Sequence, residues 1–300
     1  MKSILFLLIA ALALYACQKE LSDFQTEMSE RVSLSEFFKE NGAPLQQFTG
    51  NAANGINCTT AKGTKVQFPA AAFVTLNNLP VTGTVSIEVK EIITPGEMIL
   101  NNTPTMSNGL PLLSGGEFFV RVSQNNQELK LAPDMFIRLE VTPAAGADMD
   151  GMQVFNGDTS SGTLNWILNT SPANFVGRDT LSSSISLFAD SLQWLNIDKF
   201  INEPKITYTV NPGNSPNPDS TAVFVHLTGQ QSVLRFPAET TNFTSGNMIA
   251  APATLVGICV VEGQLYYAML PVVMKSGGTA TLTFEKIEEN VLKQKLAALK

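Results

Sequence analysis

The stretch VTGTVSIEVKEI (81–92) decides the fold. Val85, Ile87 and Val89 alternate with Thr84, Ser86, Glu88 and Lys90, the two-residue period of a strand with one buried and one wetted face. The pattern spreads outward from there. EFFVRVSQNNQELKL (117–131) reads as a hairpin turning at Gln124 to Asn126, and MFIRLEVTP (135–143) as a strand ended by Pro143. Further strands are expected over 207–210, 222–227, 232–236, 255–261, 265–273 and 279–284. Short strands separated by turn residues at this spacing indicate an all-β chain built of two β-sandwich domains.

Helices are expected only at the ends. SLSEFFKENG (33–42) pairs Ser33 with Glu36 as a capping box and closes on Asn41-Gly42. EKIEENVLKQKLAALK (285–300) sets Ile287, Val291, Leu292, Leu296 and Leu299 near one face, with lysines toward the negative end of the helix dipole. NPGNSPNPDS (211–220) lies between strand-like ITYTV and TAVFVHL, so it reads as a loop within the second domain. The expected division is 1–16 leader, 17–45 tether and short helix, 46–205 first sandwich with an extension, and 206–300 a second, Ig/transthyretin-like sandwich with the C-terminal helix.

The N-terminus supplies an address. Lys2 precedes an uncharged apolar run from Ile4 to Leu14, shorter than the ~20 residues of a membrane-spanning helix. Leu14-Tyr15-Ala16-Cys17 resembles the bacterial lipobox, which implies a diacylglyceryl-modified Cys17 at the start of the processed chain. Several acyl chains meet the two-signal requirement for stable anchoring. Gln18 in place of Asp favours the outer membrane, and Lys19-Glu20 leaves a periplasmic or a surface-exposed position open.

With a formal charge of −7 and a pI near 4.9, nucleic acid is a poor partner, because phosphate contacts want basic patches. Cys58 and Cys259 remain beside Cys17. The exported compartment permits a disulfide, but Cys259 within VGICVV reads as a buried strand thiol.

GTKVQFPAAAFV followed by VTGTVSIEVKEI resembles the opening of the ZU-type β-sandwich of zonula occludens proteins, netrin receptors and ankyrins. The carriers are a glycine-led strand, the exit at Phe68, Pro69 and Ala70, and the long alternating strand. PGEMILNNTPTMSNGLPLLSGGEFFVRV and SLQWLNIDKF resemble parts of bacterial surface lipoproteins with such a domain, over roughly 50–205. The resemblance implies a scaffold or interaction module and carries over no catalytic residue.

The sequence offers little catalytic or ligand-binding chemistry. One histidine, His226, is too few for a multi-histidine zinc site. No GxSxG, P-loop or GxGxxG motif occurs at a strand–helix junction, so no cofactor is expected. Ser114-Gly115-Gly116 reads as a bulge or tight turn. Glu88, Glu91, Glu97 and Glu117 read as solvated strand-edge groups. Asp148, Asp150 and Asp158, with Asn156, place oxygen ligands on a Gly-rich loop, as calcium requires; they miss the EF-hand pattern, and a solvated acidic turn also accounts for them. His226-Leu227-Thr228 resembles the cleavage tripeptide of GAIN domains, in which histidine activates a hydroxyl against the preceding carbonyl. That chemistry needs a strained bend. Trp166, Trp194 and Tyr266 are the candidate aromatics for a ligand platform, against a core or interface role for Trp194.

The expectation is a lipid-anchored, non-enzymatic envelope protein with a structural or adhesive role toward a partner protein or surface polysaccharide. A glycan-binding accessory of an outer-membrane uptake system is the alternative, and autoproteolysis at His226-Leu227-Thr228 a remote one.

Overall fold

The computed structural model describes residues 33–143, 148–178, 184–237 and 242–299. The leader, Cys17 and the tether to residue 32 lie outside the described residues.

The chain is mostly β and sandwich-type, with three short helices among the described residues. The alternating stretch forms the strand Thr84–Ile92. It pairs on one side with Gln46–Asn51 and on the other with Leu110–Gln124, followed outward by Gln193–Phe200, Gln153–Asp158 and Asn165–Leu168. The hairpin to Gln127–Leu131 turns through Asn125 and Asn126, both at positive φ (52° and 62°). Asparagine tolerates that region, so the turn matches strand twist. A second sheet runs Phe175–Arg178, Ile185–Ala189, Ile137–Val141, Lys65–Phe68, Ile56–Thr59. Inward residues of both sheets, among them Val85, Ile87, Val89, Phe118, Leu139 and Leu187, make one core.

Between Phe200 and Lys205 the chain passes to another sheet pair. The three-stranded one is Phe243–Ile249, Lys205–Asn211, Gly278–Thr281, with the last two parallel. The five-stranded one is Val233–Arg235, Thr221–Leu227, Pro252–Val261, Gln264–Val273, Glu285–Lys286. Val223, Val225, Leu255 and Phe243 are among the residues filling the space between them. The expected strand over 279–284 ends at Thr281: the Leu282 N–H closes the ladder on Asn211 O, where the neighbouring strand also ends, and the Phe284 N–H goes to Asn214 Oδ1.

Helix α1 (Leu34–Asn41) carries the Ser33/Glu36 capping box in both directions. A helix not among those expected, α2 (Pro95–Asn101), starts on a second capping box, Thr94 with Glu97. Helix α3 (Glu289–Ala297) buries Leu292 and Leu296. These helices form a third apolar cluster: Phe37, Phe38, Ile99, Leu292 and Leu296 meet Phe224, Val256 and Ile258 on the outward face of the five-stranded sheet. Gly96 allows the approach of α2 to α3, since a Cβ there would sit 2.4 Å from Leu296 O.

The two sheet pairs are also tied by backbone. Thr105 N–H donates to Val233 O at 2.7 Å, Ser114 N–H to Gln231 O at 2.8 Å, and Ser232 Oγ to Leu112 O at 2.7 Å.

Candidate functional site

The outward face of the first sheet, where it meets α1, α2 and the 231–235 segment, gathers the groups with chemical potential. A bulge builds it. Gly115 is the extra residue in Leu110–Gln124: Gly116 opposes Ile197 while Ser114 opposes Asp198. The side-chain alternation is thereby reset, so Leu112, Ser114, Glu117 and Phe119 share one face. Opposite them, Trp194, Asn196 and Asp198 face the same way, while Leu195 and Ile197 enter the core.

Two carboxyl groups on that face, Glu117 and Asp198, are fully buried. Asp198 Oδ2 accepts from Asn196 Nδ2 at 2.7 Å, and Asn196 Oδ1 from Ser114 Oγ at 3.0 Å. Both Glu117 oxygens, Asp198 Oδ1, Thr103 Oγ1 and Trp166 Nε1 complete no hydrogen bond among the described residues. Burial raises both carboxyls well above the usual range, and the Asp198 charge adds to the effect on Glu117. Glu117 is therefore not the solvated strand-edge group expected from sequence. Nor is Glu91, which is buried and accepts from Thr60 Oγ1 (2.7 Å) and Thr64 Oγ1, pinning the 60–64 turn. Glu88 pairs with Arg121, and Glu97 with Lys62 at 2.5 Å.

Beside this layer opens a cleft of about 450 Å³. Its lining includes Lys39 from α1, Lys90 from Thr84–Ile92, Arg235 from Val233–Arg235, and Trp194, with Asn101 and Asn102 at the end of α2. The Trp194 ring is held between Phe119 (5.2 Å) and Trp166 (6.1 Å, near perpendicular). Arg235 donates to Asn102 Oδ1 at 2.8 Å and lies over Phe224. Burial lowers the pKa of both Lys90 and Arg235.

The candidate aromatics do not form one platform. Trp166 is fully buried and perpendicular to Trp194, because its strand is covered by Phe155 and Leu112. Tyr266 is partly buried, with Lys286 Nζ 5.9 Å from its ring centre. Instead, an unanticipated row crosses the outward face of the second sheet. Phe175 opposes Phe188, Phe188 opposes Arg138, and Arg138 opposes Gln67. Phe175 stacks on Phe188 at 4.5 Å, and Phe136 meets the same ring at 5.6 Å. Phe175 is 51% and Phe136 42% exposed.

The calcium candidates are separated. Asp148 pairs with Lys199 at 2.6 Å and Asp150 with Arg178, while Asp158 Oδ1 accepts from Ser160 N–H at 2.9 Å. The strand Gln153–Asp158 lies between the first two and the third, a span of roughly 20 Å at strand rise. No cluster of three or more potential metal ligands occurs among the described residues. His226 is buried, and its Nε2 lies 3.2 Å from Gln230 O. The Leu227 carbonyl accepts from Gln230 N–H at 3.0 Å in a turn that uses Gly229 at φ 76°. Glycine takes up the only left-handed residue of that turn, so the bend is unstrained and the histidine is engaged away from Thr228. Cys58 and Cys259 are both free thiols, the first half-buried and the second buried.

No family model matches the chain, and no curated protein matches it.

Proposed function

We propose that the protein is a lipid-anchored cell-envelope module without enzymatic activity, held through Cys17, and that it works by presenting sandwich surfaces to a binding partner. The observation that carries this is the aromatic row beside Arg138 in which exposed Phe136 and Phe175 flank the half-buried Phe188. A contiguous aromatic surface costs solubility unless it is used, and Phe with Arg is the composition of interaction surfaces. The ZU-type reading of 46–205 belongs to the same proposal. It is supported by the long outward-alternating strand Thr84–Ile92 and by the exit of Lys65–Phe68 into Pro69.

Labelled full-length chain applied to fragments of its own cell envelope is expected to be retained. The double variant Phe136→Ser/Phe175→Ser is expected to lose about tenfold in affinity, the effect of removing a modest hot spot, with its thermal midpoint preserved. Equal retention of both proteins overturns the reading. In cells, Cys17→Ser is expected to move the protein from the membrane to the soluble fraction.

A second reading, glycan binding, is favoured by one feature: the cleft that sets the partly exposed Trp194 among Lys39, Lys90 and Arg235.

A further inference from the structure

The chain carries seven more acidic than basic side chains, yet among the described residues the cleft between α1, α2 and the first sheet is lined by three cations and no carboxylate. Lys39 has Glu36 nearby on its own helix. The other two stand without an acid among the described residues. Lys90 lies between Glu88 and Ile92 on the outward face of its strand, and Glu88 is already paired with Arg121. Lys90 makes no ion pair among the described residues. Arg235 spends one nitrogen on the neutral Asn102 side chain and packs its plane over Phe224. Holding half-buried charges apart from any counter-charge costs stability. A site that keeps two of them facing one cleft is shaped for an anion that arrives from outside.

The remaining wall specifies the rest of the ligand. Trp194 is braced by Phe119 and Trp166, so its cleft-facing surface is rigid, apolar and matched to a flat C–H face. Asn102 is αL, with φ 54° and ψ 40°, which fixes its amide beside Arg235. The volume of about 450 Å³ falls within the ~300–1,000 Å³ typical of small-molecule sites.

We infer that this cleft binds an acidic saccharide, with Lys90 and Arg235 holding the carboxylate of a uronic acid residue and Trp194 packing against its ring. This deepens the glycan-binding reading, rests on it, and is independent of the Phe136–Phe175 surface. Arginine supplies a planar two-donor fork for the carboxylate, and lysine a movable point charge.

The test is a fluorescence titration of the purified full-length chain. Of its two tryptophans, Trp166 is sealed, so a ligand-induced change reports on Trp194. Oligomers of galacturonate and glucuronate are compared with neutral oligomers of galactose and glucose and with inorganic phosphate. Uronate oligomers are expected to bind at least about tenfold tighter than either control. Lys90→Gln is expected to weaken uronate binding by about tenfold, and Arg235→Gln by more, with Lys90→Gln keeping or raising the melting temperature. Because Arg235→Gln removes packing on Phe224, the folded Lys90→Gln protein is the deciding variant. Equal binding of neutral sugars, phosphate binding as tight as uronate, or undiminished uronate binding by Lys90→Gln each overturns the assignment. Such an outcome leaves the envelope-retention experiment untouched, and failure of that experiment leaves this one standing.

Discussion

Glu117 and Asp198, neighbours on paired strands, bring two carboxyl groups into the same buried layer only because Gly115 bulges out of the ladder between them. Were residues 114–117 an unbulged strand, Glu117 and Ser114 would point to opposite faces, and a charge would enter the apolar core.

The pair makes stability depend on pH in a definite direction. Both carboxyls have raised affinity for protons in the folded state, chiefly through burial. These two groups therefore hold more protons in the folded chain than in the unfolded one above pH ~4, and their contribution to stability falls as pH rises. The stabilisation is full below the unfolded values of about 4 and is lost as pH climbs through the folded ones. Thermal melts from pH 4 to 8 should show a falling midpoint with a shallower slope in Glu117→Gln. An identical slope in that variant would count against a buried, proton-binding Glu117.

Gly96 tests the helical layer. Its missing Cβ lets α2 touch the Leu296 carbonyl, so Gly96→Ala is expected to cost about 1–3 kcal/mol despite the better helix propensity of alanine. Leu296→Ala should cost about 2–5 kcal/mol, whereas Val291→Ala on the exposed side should change little. Urea denaturation of the three variants reads the difference, and a Gly96→Ala protein more stable than wild type would contradict the contact.

The His226-Leu227-Thr228 turn should stay intact. Its carbonyl sits in a relaxed, hydrogen-bonded turn, and the imidazole is engaged with Gln230 O. A denaturing gel is expected to show one band, unchanged by Thr228→Ala. A fragment pair that merges into one band in Thr228→Ala would reverse this.

The thiols should be quiet. Burial pushes Cys58 up to about 11, leaving little thiolate at neutral pH, and Cys259 lies inside its strand with its Sγ 3.4 Å from Asn217 O. Native protein near neutral pH is expected to resist iodoacetamide for hours and to label fully in urea. Rapid native labelling of Cys58 or Cys259, located by peptide mapping, would contradict this.

Legibility in the sequence follows solvent exposure. Thr84–Ile92 and the 117–131 hairpin are readable because one face of each is polar and the turn needs asparagine. Gln193–Phe200 escapes because both its faces are buried: Leu195 and Ile197 enter one core while Asn196 and Asp198 enter the polar layer. Such a strand loses its alternation. Helix α2 is short, but Thr94-Pro95-x-Glu97 is a legible start signal, the same device that marks Ser33. The cleft is not legible, since Lys39, Lys90 and Arg235 come from three elements far apart in the chain. The bulge at Gly115 is readable from the paired glycines. Its consequence, two acids in one buried layer, needs the register with a partner strand that is distant in sequence.

The third apolar cluster has a kinetic consequence. It joins Phe37 to Leu296, so its contacts close loops spanning nearly the whole chain, and such closure is slow to nucleate. The helical layer cannot be completed until the final turn of α3 is available. During synthesis and any transit across a membrane, the apolar face made by Phe224, Val256 and Ile258 therefore stays uncovered. Refolding should accordingly end in a slow phase that removes dye-accessible apolar surface, after the strands themselves have paired.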